Sequence, residues 1–208
     1  MITDNFDQIS RLLKFDTKDD FYFMQIIQRK KDGCDTRDSG NNGYRTIKSY
    51  YIRSVDDLMR RKDKIVELCK SNNARAYINL NRRNARQVAL AAAKAYIDLV
   101  NEDRCEQGFK IYDHVCGVTR NSKAPRYWIV DVDTKDPAEL HEAIVLVDSC
   151  RSGNPRNLFG GYDNVRAVIP TPNGNHLIAT GFDARELNGK FDIKKDNPTI
   201  LYYAGVVQ

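Results

Sequence analysis

The sequence of 208 residues predicts an α+β protein in which two parts share one domain. Segments in which apolar and polar residues alternate, typical of strands, are separated by segments in which apolar residues recur every three or four positions, typical of helices. The pattern also changes along the chain, because short strand signals dominate after about residue 104. We therefore expect an N-terminal α/β unit over residues 1–104 and a mainly β unit with one covering helix over residues 105–208.

The composition favours a globular protein with a buried core. Hydrophobic residues make up 41% and charged residues 29% of the chain, which excludes disordered and fibrous classes. The net charge of +5 permits a polyanionic partner without requiring one. Because no apolar stretch approaches the roughly 20 residues of a membrane span and the start lacks the features of a secretory signal, we expect a cytoplasmic protein without a membrane partner. The five widely spaced cysteines indicate reduced thiols, and they match neither a disulfide framework nor a zinc site.

The N-terminal unit is predicted from local signals. Apolar residues three or four positions apart indicate a helix over 5–15, and residues 30–44, rich in Gly, Asn and Asp, indicate the turn of a hairpin. Ser54 with Asp57 resembles a capping box, and Asn84 is suited to cap a long helix. The other predicted elements are strands over 21–28, 45–53 and 75–81 and a helix over 54–70.

The C-terminal unit is predicted to contain more strands. Residues 126–133 give the strongest strand signal in the chain, and Pro137 is suited to the first turn of a helix that follows over 138–150. Residues 151–163, rich in Gly, Asn and Arg, indicate a loop. The other predicted strands lie over 109–118, 165–170, 176–179, 191–194 and 199–206.

An acidic pair closes the strongest strand. Side chains alternate between the two faces of a strand, so Asp131 and Asp133 must project from the same side. Their Cα atoms are then about 7 Å apart, close enough to hold one metal ion or a pair of ions about 4 Å apart. Two adjacent carboxylates repel unless a cation neutralises them, which favours Mg²⁺ or Mn²⁺, hard cations that prefer oxygen ligands. The alternative is that Asp131 is a solvated strand residue and Asp133 merely begins the turn.

Two later segments add polar residues. His176 enters a strand directly after the turn over 170–175, and Gly174 lets the backbone of that turn bend tightly. An imidazole at that point is placed to contact phosphate, although a surface histidine without a function is the alternative. Asp192 lies in a short apolar run and by itself indicates nothing.

Taken in this order, the three segments resemble the catalytic motifs of the archaeo-eukaryotic primase superfamily, and most of all its primase-polymerase branch. Ile129-Val130-Asp131-Val132-Asp133 is similar to the first motif, residues 171–176 to the second and Phe191-Asp192 to the third. The resemblance covers about residues 127–203, and the order and spacing of the motifs carry it. It implies a two-part core whose second part is built like an RNA-recognition sheet.

The resemblance also implies an activity and its residues. Asp131, Asp133 and Asp192 would be catalytic and would hold Mg²⁺ or Mn²⁺, and His176 with Gly174 would bind the phosphates of a nucleoside triphosphate. The reaction would be nucleotidyl transfer on a DNA template, with one ion activating the attacking hydroxyl and the other neutralising pyrophosphate. Since the chain has no zinc-knuckle cysteines and no helicase extension, a helicase or other replication protein is a further expected partner.

Basic residues are candidates for contact with the phosphates of a template, primer or nucleotide. Lys123 and Arg126 precede the acidic strand and are predicted to bind the nucleotide. The residues predicted to bind nucleic acid are Arg82, Arg83, Arg86, Arg151 and Arg156. Two other functions stay open from the sequence: an inactive single-stranded nucleic-acid-binding module of the same fold, and a metal-dependent nuclease.

Overall fold

Two antiparallel sheets organise the fold, which a computed structural model describes for residues 2–34, 43–118, 126–187 and 189–205. The first eight elements are β1 (Thr3–Asp4), α1 (Phe6–Ser10), β2 (Asp20–Arg29), β3 (Tyr44–Ile52), α2 (Val55–Arg60), α3 (Lys62–Ser71), β4 (Arg75–Ile78) and β5 (Arg83–Asn84). The next eight are α4 (Ala85–Asn101), α5 (Ile111–Gly117), β6 (Tyr127–Val132), α6 (Pro137–Ser149), β7 (Val165–Pro170), β8 (Asn175–Thr180), β9 (Asp192–Lys194) and β10 (Thr199–Tyr203). The predicted α+β class is confirmed.

The larger sheet has six strands in the order β1-β10-β4-β2-β3, with β5 paired to the start of β2. Different helices cover its two faces, because successive side chains of β2 point to opposite faces and pack in different cores. Met24 and Ile26 are buried in a core shared with α1, α2 and α3. On the other face, Phe21 and Phe23 pack against α4 and α5. Beyond Phe23 this second face is only half-buried from Gln25 onwards, so part of the sheet stays open.

The smaller sheet has four strands in the order β7-β8-β6-β9, and α6 connects β6 to β7. Val130 and Val132 on one face of β6 pack with Ala143 and Val147 of α6. Ile129, on the opposite face, belongs to the core of the larger sheet. The central strand β6 is therefore held by apolar packing on both of its faces.

The last strand does not lie where the sequence analysis expects it. β10 pairs with β4 and β1 in the larger sheet, although it falls within residues 105–208, which are predicted to form the C-terminal part of the domain. Leu201 and Tyr202 are buried in the shared core, and the backbone carbonyl of Leu201 accepts a hydrogen bond from the backbone N–H of Asn5. The chain thus returns to the first sheet after completing the second, so residue 104 does not separate the strands of the two sheets.

A second difference concerns residues 109–118, for which a strand is predicted. The chain instead forms a 3₁₀ turn over Cys105–Lys110 followed by the helix α5. Val115 and Cys116 are buried in a core shared with α4, and Ile111 and Tyr112, each four positions earlier, pack against the same core. This spacing belongs to a helix, whereas Phe109, which suggested the start of a strand, is 95% exposed.

The predicted helix starts are confirmed. The hydroxyl of Ser54 accepts a hydrogen bond from the backbone N–H of Asp57 at 3.0 Å, and the side-chain oxygen of Asn84 accepts one from Gln87 at 3.1 Å. The helix predicted over 54–70 is two helices, α2 and α3. The predicted hairpin turn falls partly on residues 35–42, which lie outside the described residues.

In the described part of the chain, none of the helices combines the length and the apolar run that a bilayer crossing needs.

A buried polar cluster joins the two sheets at the start of β6. The side chain of Asn81 accepts from the backbone N–H of Tyr127 and donates to its carbonyl, at 2.6 and 2.9 Å. Asp196 accepts from Asn79, Asn81 and Arg83, and the Arg83 guanidinium is fully buried. We call Asn79, Asn81, Arg83 and Asp196 the closed cluster. It fixes the beginning of β6, and with it the direction in which the strand continues.

Candidate functional site: an acidic cluster at the end of β6

The two predicted acidic motifs meet at the end of β6. Asp131 of β6 lies directly opposite Asp192 of β9, and on its other side it lies opposite His176 of β8. Residues that face each other across antiparallel strands project to the same side of the sheet, so the three side chains form one row. Asp133 follows the last residue of β6, is exposed, and lines the same pockets as Asp131. The structure therefore brings together the four residues that the motif pattern singled out.

Lys194 is the cation of this row. Its ammonium lies 2.5 Å from Oδ2 of Asp131 and 3.3 Å from Oδ2 of Asp192. Burial lowers the pKa of Lys194, but the hydrogen bonds and charges of Asp131 and Asp192 outweigh burial and leave the pKa above its ordinary value. The side chain is consequently charged at neutral pH. We call Asp131, Asp133, Asp192, His176 and Lys194 the acidic cluster.

His176 is held between the two sheets. Its Nδ1 lies 2.9 Å from the hydroxyl of Thr199 in β10, and its Nε2 lies 3.5 Å from Oδ1 of Asp131. Burial lowers the pKa of His176, and the nearby carboxylate of Asp131 does not reverse this direction. The imidazole is therefore neutral at neutral pH, and its contact with Asp131 is a polar contact rather than an ion pair. The Thr199 hydroxyl fixes the orientation of the ring.

Gly174 allows the β7–β8 turn to press against the end of β6. A Cβ at residue 174 would lie 2.1 Å from the backbone oxygen of Val132 and 3.0 Å from Cα of Asp133. The turn is closed by a hydrogen bond from the backbone N–H of Thr171 to the carbonyl of Gly174, at 2.8 Å. The geometry gives Gly174 a packing role beside the acidic pair, in addition to any contact with phosphate that the motif implies. Any residue with a Cβ at this position would force the turn or the end of β6 to shift.

The acidic cluster borders an open pocket of about 770 Å³ between the two sheets. Its acidic side consists of Asp131 and Asp133, and the turn residues Thr171 and Asn173 lie beside them. The opposite wall, formed by the larger sheet and the turn after β2, carries the carboxylate of Asp32 together with basic and aromatic residues: Arg29, Lys31, Arg75 and Tyr77. Arg75 forms two hydrogen bonds with Asp32, at 2.7 and 2.5 Å, which hold it in place. A volume of this size accommodates a cofactor or nucleotide.

A second pocket, of about 420 Å³, opens on the other side of the same carboxylates. Asp131, Asp133 and Asp192 all line it, together with Glu139 and Glu142 of α6. Glu142 is paired with Lys190 at 2.5 Å. Asp131 and Asp133 thus line both pockets, the first with several basic residues and the second with further carboxylates.

The carboxylates match the oxygen donors that Mg²⁺ or Mn²⁺ prefers. In the described part of the chain, however, no three His, Cys, Asp or Glu side chains are grouped as a ready-made metal site. At the acidic cluster the position between Asp131 and Asp192 is held by the Lys194 ammonium, which is itself a cation. The chemistry of the carboxylate oxygens is that of ligands for a hard divalent ion, and two of these carboxylates are paired with the Lys194 ammonium.

The predicted nucleic-acid residues are placed less uniformly. Arg86, Arg126 and Arg156 are exposed, and the side chain of Arg151 is 70% exposed beside Asp183 and Glu186. Lys123 lies outside the described residues.

Arg82 and Arg83 turn away from solvent. The side chain of Arg82 is 10% exposed and bonded to Asp16 and to the carbonyl of Lys14. Arg83 is fully buried in the closed cluster, where it donates to Asp196, to the carbonyl of Cys116 and to that of Asn81. The prediction that Arg83 binds nucleic acid is wrong, because its guanidinium has no surface and its charge is neutralised inside the protein.

Lys194 and Thr199 are site residues that the sequence analysis missed. The strand predicted over 191–194 is sufficient to place Lys194 beside Asp192, since residues two apart on a strand share a face. Thr199 gave no such signal, because its contact with His176 depends on β10 returning to the larger sheet.

Comparison of the chain with protein-family models, with curated proteins and with solved structures finds no match.

Proposed function

We propose that the chain is a metal-dependent nucleotidyltransferase of the primase-polymerase type, which joins nucleotides on a nucleic-acid template. The observation that carries the proposal is the row of Asp192, Asp131 and His176 across three neighbouring strands. These residues come from three separate motifs, and their order along the chain resembles that of the primase superfamily. The strand order of the smaller sheet supports the same proposal: numbered along the chain its strands run 2-3-1-4, the order of an RNA-recognition sheet.

The residues divide into two functional groups. Asp131, Asp133 and Asp192 would hold Mg²⁺ or Mn²⁺, which when bound activates the attacking 3′-hydroxyl and neutralises the departing pyrophosphate. His176, neutral and oriented by Thr199, would donate a hydrogen bond from Nε2 to a phosphate oxygen. Arg29 and Lys31 in the larger pocket would face the negative charge of the triphosphate, whereas the charge of Arg75 is balanced by Asp32.

The open face of the larger sheet offers a path for the nucleic-acid strand. Gln25, Ile27 and Arg29 share one face of β2, and they connect the 770 Å³ pocket with a second groove of about 1030 Å³ between β3 and α5. Basic and aromatic residues line this groove, the combination that binds single strands through phosphates and bases. They include Tyr44, Arg45, Lys48, Tyr51, Lys110 and His114. We infer that the template or primer lies along this face.

Primer extension tests the proposal. Purified protein is incubated with a labelled DNA template-primer, ribo- and deoxyribonucleoside triphosphates, and Mg²⁺ or Mn²⁺. Lengthening of the primer that needs the metal and disappears in Asp131→Asn supports the proposal. Asp98→Asn is the matched control, since it removes one exposed carboxylate from α4, far along the chain from the acidic cluster.

Two other outcomes would contradict the proposal and identify the alternative. Metal-dependent shortening of the substrate would indicate a nuclease, because hydrolysis uses similar carboxylates. Salt-sensitive binding of single strands, indifferent to metal and to Asp131, with no change in primer length, would indicate an inactive binding module.

A further inference from the structure

Lys194 holds a position that a divalent ion needs. Its ammonium lies between Asp131 and Asp192, at 2.5 and 3.3 Å from their Oδ2 atoms. We propose that Lys194 is the resident counter-ion of the acidic cluster and competes with the divalent ion for Asp131 and Asp192. Metal binding then releases the ammonium towards the 770 Å³ pocket. This inference rests on the proposed function, because it takes these carboxylates as the metal ligands.

The competition follows from distance. A metal ion bound to Oδ2 of Asp131 at about 2 Å would lie within about 4.5 Å of an ammonium that contacts the same oxygen. Two positive charges that close repel each other, and the repulsion is stronger in a half-buried site than in water. Asp131 has a side chain only 19% exposed, so solvent screens the pair incompletely.

The charge balance of the cluster favours release of the ammonium once a second ion binds. Asp131, Asp133 and Asp192 are three carboxylates beside the one ammonium of Lys194. One divalent ion neutralises the remainder. A second ion would leave the cluster net positive as long as the ammonium stayed, and release of the ammonium lowers this excess.

The neighbouring pocket gives the released ammonium a place to go. Lys194 already lines the pocket that holds Arg29 and Arg75 on its opposite wall, and its side chain is 29% exposed. A lysine is a flexible point charge, so a change of side-chain rotamer is sufficient to move it. In the pocket it would add one cation to the wall that faces the triphosphate. Binding of the metal and binding of the triphosphate would then favour each other.

Metal titration of a charge-removing variant tests this inference. Binding of Mn²⁺ to the full chain, without nucleotide, is measured by electron paramagnetic resonance for the wild type and for Lys194→Met. We expect the dissociation constant for Mn²⁺ to fall about tenfold in Lys194→Met, because the competing charge is gone. Lys194→Arg, which keeps the charge, is expected to bind Mn²⁺ much as the wild type does.

Lys195→Met is the matched control. Lys195 carries the same charge one residue further, and its ammonium lies over the ring of Trp128 at 4.6 Å, away from the carboxylates. Unchanged Mn²⁺ affinity in this variant shows that the effect does not come from net charge. Thermal unfolding with and without Mn²⁺ shows whether each variant folds, and the rise in melting temperature caused by Mn²⁺ is expected to be larger in Lys194→Met.

The outcomes separate this inference from the proposed function. If the wild type binds Mn²⁺ and extends primers but Lys194→Met binds the ion no more tightly, Lys194 is not a competitor and only this inference is overturned. If neither protein binds Mn²⁺ at millimolar concentrations, the carboxylates are not metal ligands, and the proposed function falls together with the inference.

Discussion

The two ends of β6 carry two clusters of charged side chains that differ in burial and in charge balance. At the start of the strand, the closed cluster pairs one carboxylate, Asp196, with one guanidinium, Arg83, and amide donors occupy the remaining contacts. At the end, the acidic cluster sets three carboxylates against one ammonium and opens into two pockets. Similar residue types thus serve two purposes. A neutral, enclosed cluster stabilises the junction of the sheets, whereas an open cluster with excess negative charge is suited to bind a cation.

The comparison predicts its largest effect on activity for Asp131→Asn. We expect nucleotide incorporation to fall at least about 10³-fold, because this carboxylate is shared by both pockets and contacts Lys194 and His176. The free energy of unfolding should change little, because relief of repulsion among adjacent carboxylates offsets the lost ion pair with Lys194, which keeps Asp192 as a partner at 3.3 Å. Primer extension and urea denaturation of the same preparation check both statements. If the variant loses stability together with activity, Asp131 stabilises the fold, and its loss of activity says nothing about catalysis.

The opposite result is expected for Asp196→Asn. This change leaves the Arg83 guanidinium buried without its counter-ion, which costs about 3 to 5 kcal/mol of unfolding free energy. Urea denaturation measures the loss, with Asp98→Asn as a control of the same charge change. If Asp196→Asn is as stable as the wild type, the closed cluster does not hold the sheets together and the comparison fails at this end.

Gly174→Ala tests how the acidic cluster is supported by its neighbouring turn. The added methyl group would meet the backbone oxygen of Val132, so either the turn or the end of β6 must shift. We expect a loss of about 1 to 3 kcal/mol in stability and a lower rate of incorporation. Gly153→Ala is the matched control, because a Cβ there meets no atom within 4 Å. Equal behaviour of the two alanine variants would contradict the packing role of Gly174.

The smallest expected effect is on the reactivity of thiols, which differs between a buried cysteine beside the closed cluster and an exposed one. Burial raises the pKa of Cys116 to about 12, and Asp113 adds to this, so the thiol is protonated and unreactive at pH 8. Cys105 is exposed and should react quickly with an alkylating reagent. The backbone oxygen of Cys116 accepts from Arg83, so labelling of Cys116 should become faster in Asp196→Asn. Mass spectrometry of labelled peptides measures both rates, and rapid labelling of Cys116 in the wild type would contradict the closed surroundings.

Local signals predicted most of the elements, whereas long-range contacts decided what the sequence analysis missed. The strand β6 and the helix α6 follow from alternation and from Pro137, both of which act within a few residues. The placement of β10 depends on pairing with β4, more than a hundred residues earlier, and no local pattern encodes that. The helix α5 was missed because a short apolar stretch fits either period.

The candidate site shows the same division. Alternation along a strand predicts that Asp131 and Asp133 lie close together, and this prediction needs no contact with any other part of the chain. Their proximity to Asp192 came only from the order of motifs in a resemblance to a known family. Arg83 is predicted to bind nucleic acid because basic residues are candidates for phosphate contact, whereas its burial depends on Asp196, which gives no signal of its own.

The most direct test of the account is the position of Mn²⁺ in crystals grown with the ion and a non-hydrolysable nucleoside triphosphate. Anomalous scattering locates the ion without assumptions about its ligands. We predict a peak about 2 Å from the carboxylate oxygens of Asp131 and at least one of Asp133 and Asp192, with the Lys194 ammonium moved into the adjoining pocket. Absence of a peak at these carboxylates, with Lys194 still between Asp131 and Asp192, would contradict the account.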